Sequence, residues 1–147
     1  MKSERDFRNY LAGAALSFGV VLLSSQILQL VFGGETVEVG SELYSWIINI
    51  YLAAHLLGGA LGGYLVARVR NADFIQVGTV TAIMAYIFEF IYNVVFEGAA
   101  TDIYAAVSLL IGGIIGAMFY RARTERARIL AKKPVEGSAA PEPDKKP

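Results

Sequence analysis

Four long apolar stretches dominate this sequence, and Glu89 is the one aspartate, glutamate, lysine or arginine inside them. The stretches cover residues 10–32, 44–67, 74–96 and 103–120. Each holds about 18 to 24 residues, and roughly 20 residues of helix cross a hydrocarbon core about 30 Å thick. Hydrophobic residues make up 55% of the chain, which is too apolar for an ordinary soluble domain. We therefore predict an all-α fold, a polytopic bundle of four transmembrane helices in a lipid bilayer.

The segments outside these stretches are short and polar. Residues 1–9 are predicted to form an N-terminal tail before a membrane domain of residues 10–120. Residues 121–133 form a basic juxtamembrane segment, into which the fourth helix is expected to continue. All four prolines lie in residues 134–147, among Lys, Glu, Ser and Ala, and this composition predicts a disordered tail.

Positive charge is confined to three parts of the chain. Of the 13 Lys and Arg residues, three lie in the N-terminal tail, two follow the second stretch and eight follow the fourth. The other two connectors carry acids instead. Because Lys and Arg accumulate on the cytoplasmic side, both termini are predicted to be cytoplasmic in a multi-pass protein of the cell membrane. The acids of the two outward connectors are Glu35, Glu38, Glu42, Glu97 and Asp102.

Small residues recur at a spacing of four in three of the stretches. In the second, Gly58 pairs with Gly62 and Gly59 with Gly63, which places each pair on one helix face. Glycine weakens a helix in water but lets helix backbones approach closely in lipid. A phosphate-binding glycine loop would need a preceding strand, and none is predicted. These faces are therefore expected to pack against other helices. The remaining predicted packing positions are Gly13, Ser17, Gly19, Ser108, Gly112 and Gly116.

The glycine pattern also suggests an internal repeat. Residues 57–63 align with residues 111–117 over three glycines, and an Arg-x-Arg sequence follows each. A parallel duplication of a two-helix hairpin would produce this match, because both helices run inward. Chance convergence on packing glycines explains it equally well, since the first and third stretches do not align convincingly.

Polar side chains lie at matching depths in the second and third stretches. At 1.5 Å per residue, His55 lies about 16 Å and Glu89 about 12 Å below the outer ends of their helices. We expect the faces that carry them to pack together, with the imidazole and the carboxyl group sharing a proton or a hydrogen bond. The supporting polar residues on these faces are Asn49, Tyr51, Tyr86 and Asn93.

Two interpretations of Glu89 remain open. Charged groups in the hydrocarbon core are costly and commonly mark ion or proton paths, which favours a proton- or cation-handling site. The alternative is a buried polar contact between Glu89 and His55 that only fixes the register of two helices. We favour this structural interpretation from the sequence. A lone membrane histidine is likewise more often a packing residue than a ligand.

Other chemistry has weak support in the sequence. One histidine and no cysteine are too few for bis-histidine haem or a zinc site within one chain. Neither a catalytic triad nor a nucleotide-binding loop is recognisable. We expect no cofactor, no metal and no enzymatic activity.

The basic segment after the fourth stretch has two readings. Its arginines would bind anionic lipid headgroups, or they would serve only as a stop-transfer signal that sets orientation, which we favour. Nucleic-acid binding is not expected, because the cluster is short and adjoins a membrane. The residues concerned are Arg121, Arg123, Arg126 and Arg128.

Two functions follow from these features. The favoured one is an assembly subunit or scaffold, whose glycine faces dock against copies of itself or against a larger membrane complex. This reading depends on small-residue faces in three of four helices, more than one compact bundle needs. The alternative is an oligomeric proton- or cation-coupled transporter or channel that uses Glu89 and His55.

Overall fold

The computed structural model describes residues 2–33, 37–70, 73–98 and 102–132. The predicted disordered tail, residues 134–147, lies outside the described residues. The described part is all-helical and contains four long helices, which confirms the predicted fold class. Their bounds are α1 Lys2–Phe32, α2 Glu42–Val69, α3 Phe74–Tyr92, continued by a π-helix over Asn93–Glu97, and α4 Ile103–Lys132.

All four helices are long and apolar enough to cross a membrane. Two of them extend well beyond the predicted apolar stretches. Residues 2–9, predicted as a tail, form the first turns of α1, and α4 continues through the basic segment to Lys132. Backbone hydrogen bonds and not hydropathy determine where a helix stops, so charged turns remain helical beyond an apolar stretch.

Side chains of the connectors cap the N-termini of three helices, α2, α3 and α4. The Ser41 hydroxyl accepts a hydrogen bond from the Tyr44 amide at 3.1 Å, and the Asp73 carboxylate accepts one from the Ile75 amide at 3.1 Å. Asp102 accepts from the Tyr104 amide at 3.0 Å. Each bond satisfies an amide that has no partner within its helix.

The third apolar stretch is not one regular helix. The α-helical hydrogen bonding changes to a π-helix at Asn93 and ends at Gly98, whose φ of 65° is left-handed. The Gly98 amide donates back to the Asn93 carbonyl. A π-helical turn adds a residue to one turn and turns the following side chains, and such turns are frequent at functional sites.

Helices α2 and α4 form the most extensive contact of the bundle. A Cβ added at Gly63 would collide with the Gly113 carbonyl, and one at Gly112 would collide with the carbonyl of Leu56. One added at Gly116 would collide with the Ala60 carbonyl. The partners 56 with 112 and 60 with 116 advance in the same direction, so the two helices run parallel. Their backbones touch without side chains between them.

Glycines also bring α1 against the opposite side of α2. A Cβ at Gly58 would lie 2.8 Å from the Ser17 carbonyl oxygen, and one at Gly62 would collide with the Ser17 hydroxyl. Gly13 faces Gly62 and Val66. The predicted position Gly19 differs, because it is exposed and nothing lies within 4 Å of its Cβ position. Within the single chain it is not a packing residue, since α1 turns this face away from α2.

The interior is made of small residues, and the large apolar side chains face outward. Buried positions are mostly alanine, glycine and valine, with Leu109 the largest fully buried side chain. Leu23 is 64% exposed and Trp46 is 61% exposed. Such an arrangement would aggregate in water, but it suits a bundle whose surroundings are as apolar as leucine.

The two aligned glycine segments of the possible repeat lie in α2 and α4, which pack against each other. Gly59 and Gly113, which the repeat aligns, lie against each other in the interface of α2 and α4. However, α3 packs against α2, whereas α1 makes no corresponding contact with α4 in the described residues. If the chain arose by duplication of a hairpin, its two halves are therefore no longer symmetric. They differ at the contact between α2 and α3, which carries His55 and Glu89.

The contact between α2 and α4 predicts an opposite response to the same substitution at two glycines. Gly63→Ala should destabilise the bundle by about 1–3 kcal/mol, because a methyl group there overpacks a backbone contact. Gly19→Ala, the control, should be neutral or stabilise by up to about 1 kcal/mol through helix propensity. Thermal unfolding in detergent, followed by circular dichroism, measures both. Equal melting temperatures for the two variants would contradict this packing.

Candidate functional site

The structure brings together the two residues that the sequence placed at similar depths. His55 Nε2 lies 2.8 Å from Glu89 Oε1, and the two residues are 0% and 3% exposed. Ala82 and Ala85 are buried on the same face of α3 as Glu89. Their small side chains allow neighbouring helices to approach α3 closely. The helices come close enough there for the imidazole and the carboxyl group to meet without water between them.

Tyr51 completes the cluster from one turn before His55. Its hydroxyl donates to Glu89 Oε1 at 3.1 Å, and its ring lies 4.2 Å from the imidazole, centroid to centroid. The same Glu89 oxygen therefore faces both polar groups of α2. The other oxygen, Oε2, is buried and has no hydrogen-bond partner.

Hydrogen-bond geometry restricts the proton positions in this cluster. The Tyr51 carbonyl lies 2.7 Å from His55 Nδ1 and can only accept, so Nδ1 carries a proton. A neutral imidazole protonated there presents a lone pair at Nε2, toward Glu89. The 2.8 Å contact then requires a second proton, on the carboxyl group or on an imidazolium. The pair thus holds one proton between Oε1 and Nε2.

The unpartnered oxygen favours one of these two proton positions. In an ion pair, Oε2 would carry part of the carboxylate charge in a buried position without a donor. With the proton on Glu89, Oε2 is a neutral carbonyl oxygen, whose burial costs less. The geometry therefore favours a carboxylic acid that donates to a neutral His55.

A cavity of about 260 Å³ opens beside Glu89, between α1, α2 and the C-terminal end of α3 with the π-helix that follows it. Most of its lining is apolar, and three aromatic rings contribute to it. The Phe18 ring lies 5.7 Å from the Tyr92 ring, centroid to centroid. Besides Glu89 the lining includes Glu97, and it contains no Lys, Arg or His among the described residues. The aromatic residues of the lining are Phe18, Tyr51 and Tyr92.

The supporting polar residues predicted from the sequence are dispersed. Asn93 lines the cavity at the first residue of the π-helix. Asn49 is exposed and does not line it. Tyr86 lines a separate groove between α3 and α4 with Ala106 and Val107. Small changes in helix rotation separate residues that a two-dimensional helical pattern places together.

The contribution of α1 to the cavity was missed at the sequence level. Phe18, Ser25 and Gln29 all line it. Their spacings of seven and four residues are those of one helix face, so the signal was present in the sequence. It was not recognised because no charged residue marks this face of α1.

The predicted packing residues of α4 and the basic segment occupy two further environments. Ser108 is half-buried, whereas Gly112 and Gly116 contact α2 directly.

Arg121 pairs with Glu125 at 3.2 Å on the surface. Arg123 and Arg126 are exposed, and Arg121 and Arg128 line a polar cavity of about 440 Å³.

The described residues contain no group of three or more His, Cys, Asp or Glu side chains that could hold a metal ion. His55 and Glu89 provide two such side chains, and the third polar group of the cluster is a tyrosine hydroxyl. The arrangement can hold and transfer a proton, because each partner is a donor or an acceptor that changes role on protonation.

Comparison of the chain with protein-family models, with curated proteins and with solved structures found no match.

Proposed function

We propose that this chain is a small multi-pass membrane protein that handles a proton at Glu89 and couples it to the passage of a small solute or cation. The observation that carries the proposal is the buried Glu89 Oε2, which has no hydrogen-bond partner and belongs to a residue that lines a cavity. A purely structural clasp would gain stability from satisfying both carboxyl oxygens. Leaving one open is the arrangement expected of a carboxyl group that exchanges its proton for another partner.

The proton has a short route within the cluster. It moves between Glu89 Oε1 and His55 Nε2 across 2.8 Å, while the Tyr51 hydroxyl donates to Oε1 in either state. Each transfer changes the charge of the Glu89 carboxyl group, and Glu89 lines the cavity. Charged groups in the hydrocarbon core are unfavourable, so a change in protonation there strongly affects what the cavity accepts.

The expected orientation places this cavity toward the outside. Contacts of Arg70 with Asp6 at 3.0 Å and of Arg121 with the Phe74 ring at 5.7 Å gather the start of α1, the end of α2 and the start of α3 at one end. That end carries the exposed arginines, and Glu97 and Asp102 belong to the other. The positive-inside rule then assigns both termini to the cytoplasm and the cavity to the outer half of a cell-membrane protein.

The assembly hypothesis was based on small-residue faces that could contact a partner, and one such face, on α1, is exposed. The glycines of α2 and α4 contact helices of the same chain, so they are not available to a partner. Ala15 and Gly19, a predicted small-residue pair on α1, are exposed instead. This pair is where a second copy of the chain would approach most closely in lipid.

The proton-handling proposal predicts that Glu89→Gln reduces proton flux to the level of protein-free vesicles. Glutamine keeps the size of the side chain and one of its two hydrogen bonds, but it cannot release a proton. Reconstituted vesicles with an internal pH-sensitive dye measure the flux. Glu42→Gln, which removes an exposed carboxylate in the first turn of α2, should behave as the wild type. A folded Glu89→Gln variant with wild-type flux would refute the proposal.

The orientation predicts that single cysteines at two positions label from opposite sides. The chain has no cysteine of its own, so each introduced thiol is unique. With a membrane-impermeant maleimide on intact cells, Glu38→Cys should label, and Arg126→Cys should label only after permeabilisation. Labelling of both variants on intact cells would show that the orientation is wrong.

The assembly hypothesis predicts that Gly19→Leu lowers the number of chains per complex in lipid, because the larger side chain separates two α1 helices. Leu23→Met, one turn further along the same exposed face, is the matched control and should leave the number unchanged. Counting photobleaching steps of labelled chains in vesicles measures it. An identical count for all three proteins would remove α1 as a contact between copies.

A further inference from the structure

The cavity beside Glu89 combines an unsatisfied acidic oxygen with aromatic walls, and this combination selects a class of ligand. Glu89 Oε2 is buried without a partner, and the residue is 3% exposed and lines the cavity. A ligand that supplies a positive charge or a donor at this point would give this buried oxygen the partner that it lacks in the described part of the chain. The cavity is otherwise mainly apolar, so the rest of the ligand should be apolar as well.

The charges around Glu89 favour a cation over an anion. From α2 it faces the neutral His55 and the Tyr51 hydroxyl, and Glu97 shares the cavity from the π-helix. Asp102, at the start of α4, adds a further negative charge beyond them. The α1 part of the lining contributes Ser25 and Gln29 and no titratable side chain. An anion would meet two carboxyl groups there and no cationic side chain among the described residues.

The aromatic lining favours an organic ammonium over a metal ion. The rings of Phe18, Tyr51 and Tyr92 offer faces that attract ammonium groups, most strongly where water is excluded. A hard metal cation requires about six oxygen ligands, usually including several carboxylates, whereas the described residues contain no group of three or more His, Cys, Asp or Glu side chains. A cavity of about 150 Å³ holds benzene. The volume of about 260 Å³ therefore accommodates one ring with an ammonium arm.

We propose that this cavity binds a small aromatic or alkyl ammonium ion, whose charged nitrogen lies against Glu89 Oε2 in exchange for the proton of Glu89. This inference rests on the proposed function, because the same carboxyl group carries the proton. The balance is one cation bound and one proton released: the O–H bond of Glu89 breaks, and the carboxylate pairs with the ammonium. His55 stays neutral and keeps its Nδ1–H bond to the Tyr51 carbonyl, while the Tyr51 hydroxyl still donates to Oε1, which moves away from Nε2 because no proton bridges them. The Glu89, His55 and ligand groups together therefore have no net charge before or after exchange.

Keeping the proton in the site while the cation is bound would be electrostatically unfavourable. If it moved to His55, an imidazolium, a carboxylate and an ammonium would leave one net positive charge among apolar helices. A charge at the centre of a membrane helix costs about 2.5–3.5 kcal/mol on insertion scales. Neutral exchange avoids this charge, so binding of the cation and release of the proton should be linked.

The test uses the full-length protein in lipid nanodiscs and benzyltrimethylammonium as the probe. This cation has a permanent charge and no proton of its own, so any released proton comes from the protein. Isothermal titration calorimetry in two buffers with different ionisation enthalpies should give about one proton released per cation bound. In the acidic range the dissociation constant should rise about tenfold for each unit by which the pH falls. Benzyl alcohol and 3-phenylpropionate should not bind measurably.

Two adjacent leucines provide a matched test of the location. Leu22 lines the cavity, whereas Leu23 is 64% exposed on the outer face of α1. Leu22→Phe should weaken binding at least tenfold by filling the cavity, and Leu23→Phe should bind as the wild type. Leu22→Phe should still show the infrared carboxyl signal of a protonated Glu89, because it does not alter the proton site. Glu89→Gln should abolish both cation binding and proton release.

Several outcomes would overturn the inference. These are the absence of benzyltrimethylammonium binding at any pH, equal binding of benzyl alcohol, or wild-type affinity in Leu22→Phe. Failure of the proposed function is distinguishable. If Glu89→Gln abolishes cation binding but leaves proton flux at the wild-type level, the ligand site stands and the proton-coupled function fails. If flux depends on Glu89 but no cation binds, only the ligand assignment fails.

Discussion

The close approach of α2 to α4 is the constraint on which the rest of this structure depends. Gly59, Gly63, Gly112 and Gly116 leave no side chain between the two backbones. In water, such glycines would cost helix stability without an adequate return. In an apolar environment, the packing they permit replaces the hydrophobic effect as the reason for helices to associate. The two parallel helices form a narrow central pair, against which the other two helices pack.

The central pair decides where the polar cluster lies. Gly13, Gly58 and Gly62 bring α1 against one side of α2, and Ala82 and Ala85 lie on the buried face of α3. His55 and Glu89 are therefore dehydrated and in direct contact. A hydrogen bond between such groups is strong when satisfied, and an unsatisfied atom beside it is costly. The open Glu89 Oε2 is the feature of the cluster that a structural role alone does not explain.

We rank the two functions in the opposite order from the sequence, because of two features of the helix contacts. The assembly hypothesis depended on a surplus of small-residue faces, and the contacts of α2 and α4 show that one chain uses nearly all of them. Of the predicted packing positions, which all lie in the described residues, only Gly19 is exposed, and Ala15, one turn before it, is exposed as well. The transport hypothesis depended on one intramembrane acid, and it gains a cavity beside that acid. A helical pattern identifies a packing face, but it cannot tell whether the partner belongs to the same chain.

The sequence by itself determined the number of long helices, their class and the matching heights of His55 and Glu89 along their helices. These properties depend on stretch length, charge and rise per residue, which are local and additive along a chain. Only the tertiary structure decided which faces meet, the separation of Asn49 from Asn93, and the contribution of Phe18 to a cavity. Those features depend on helix rotation and on contacts far apart in sequence, where a shift of one residue moves a side chain to a different face.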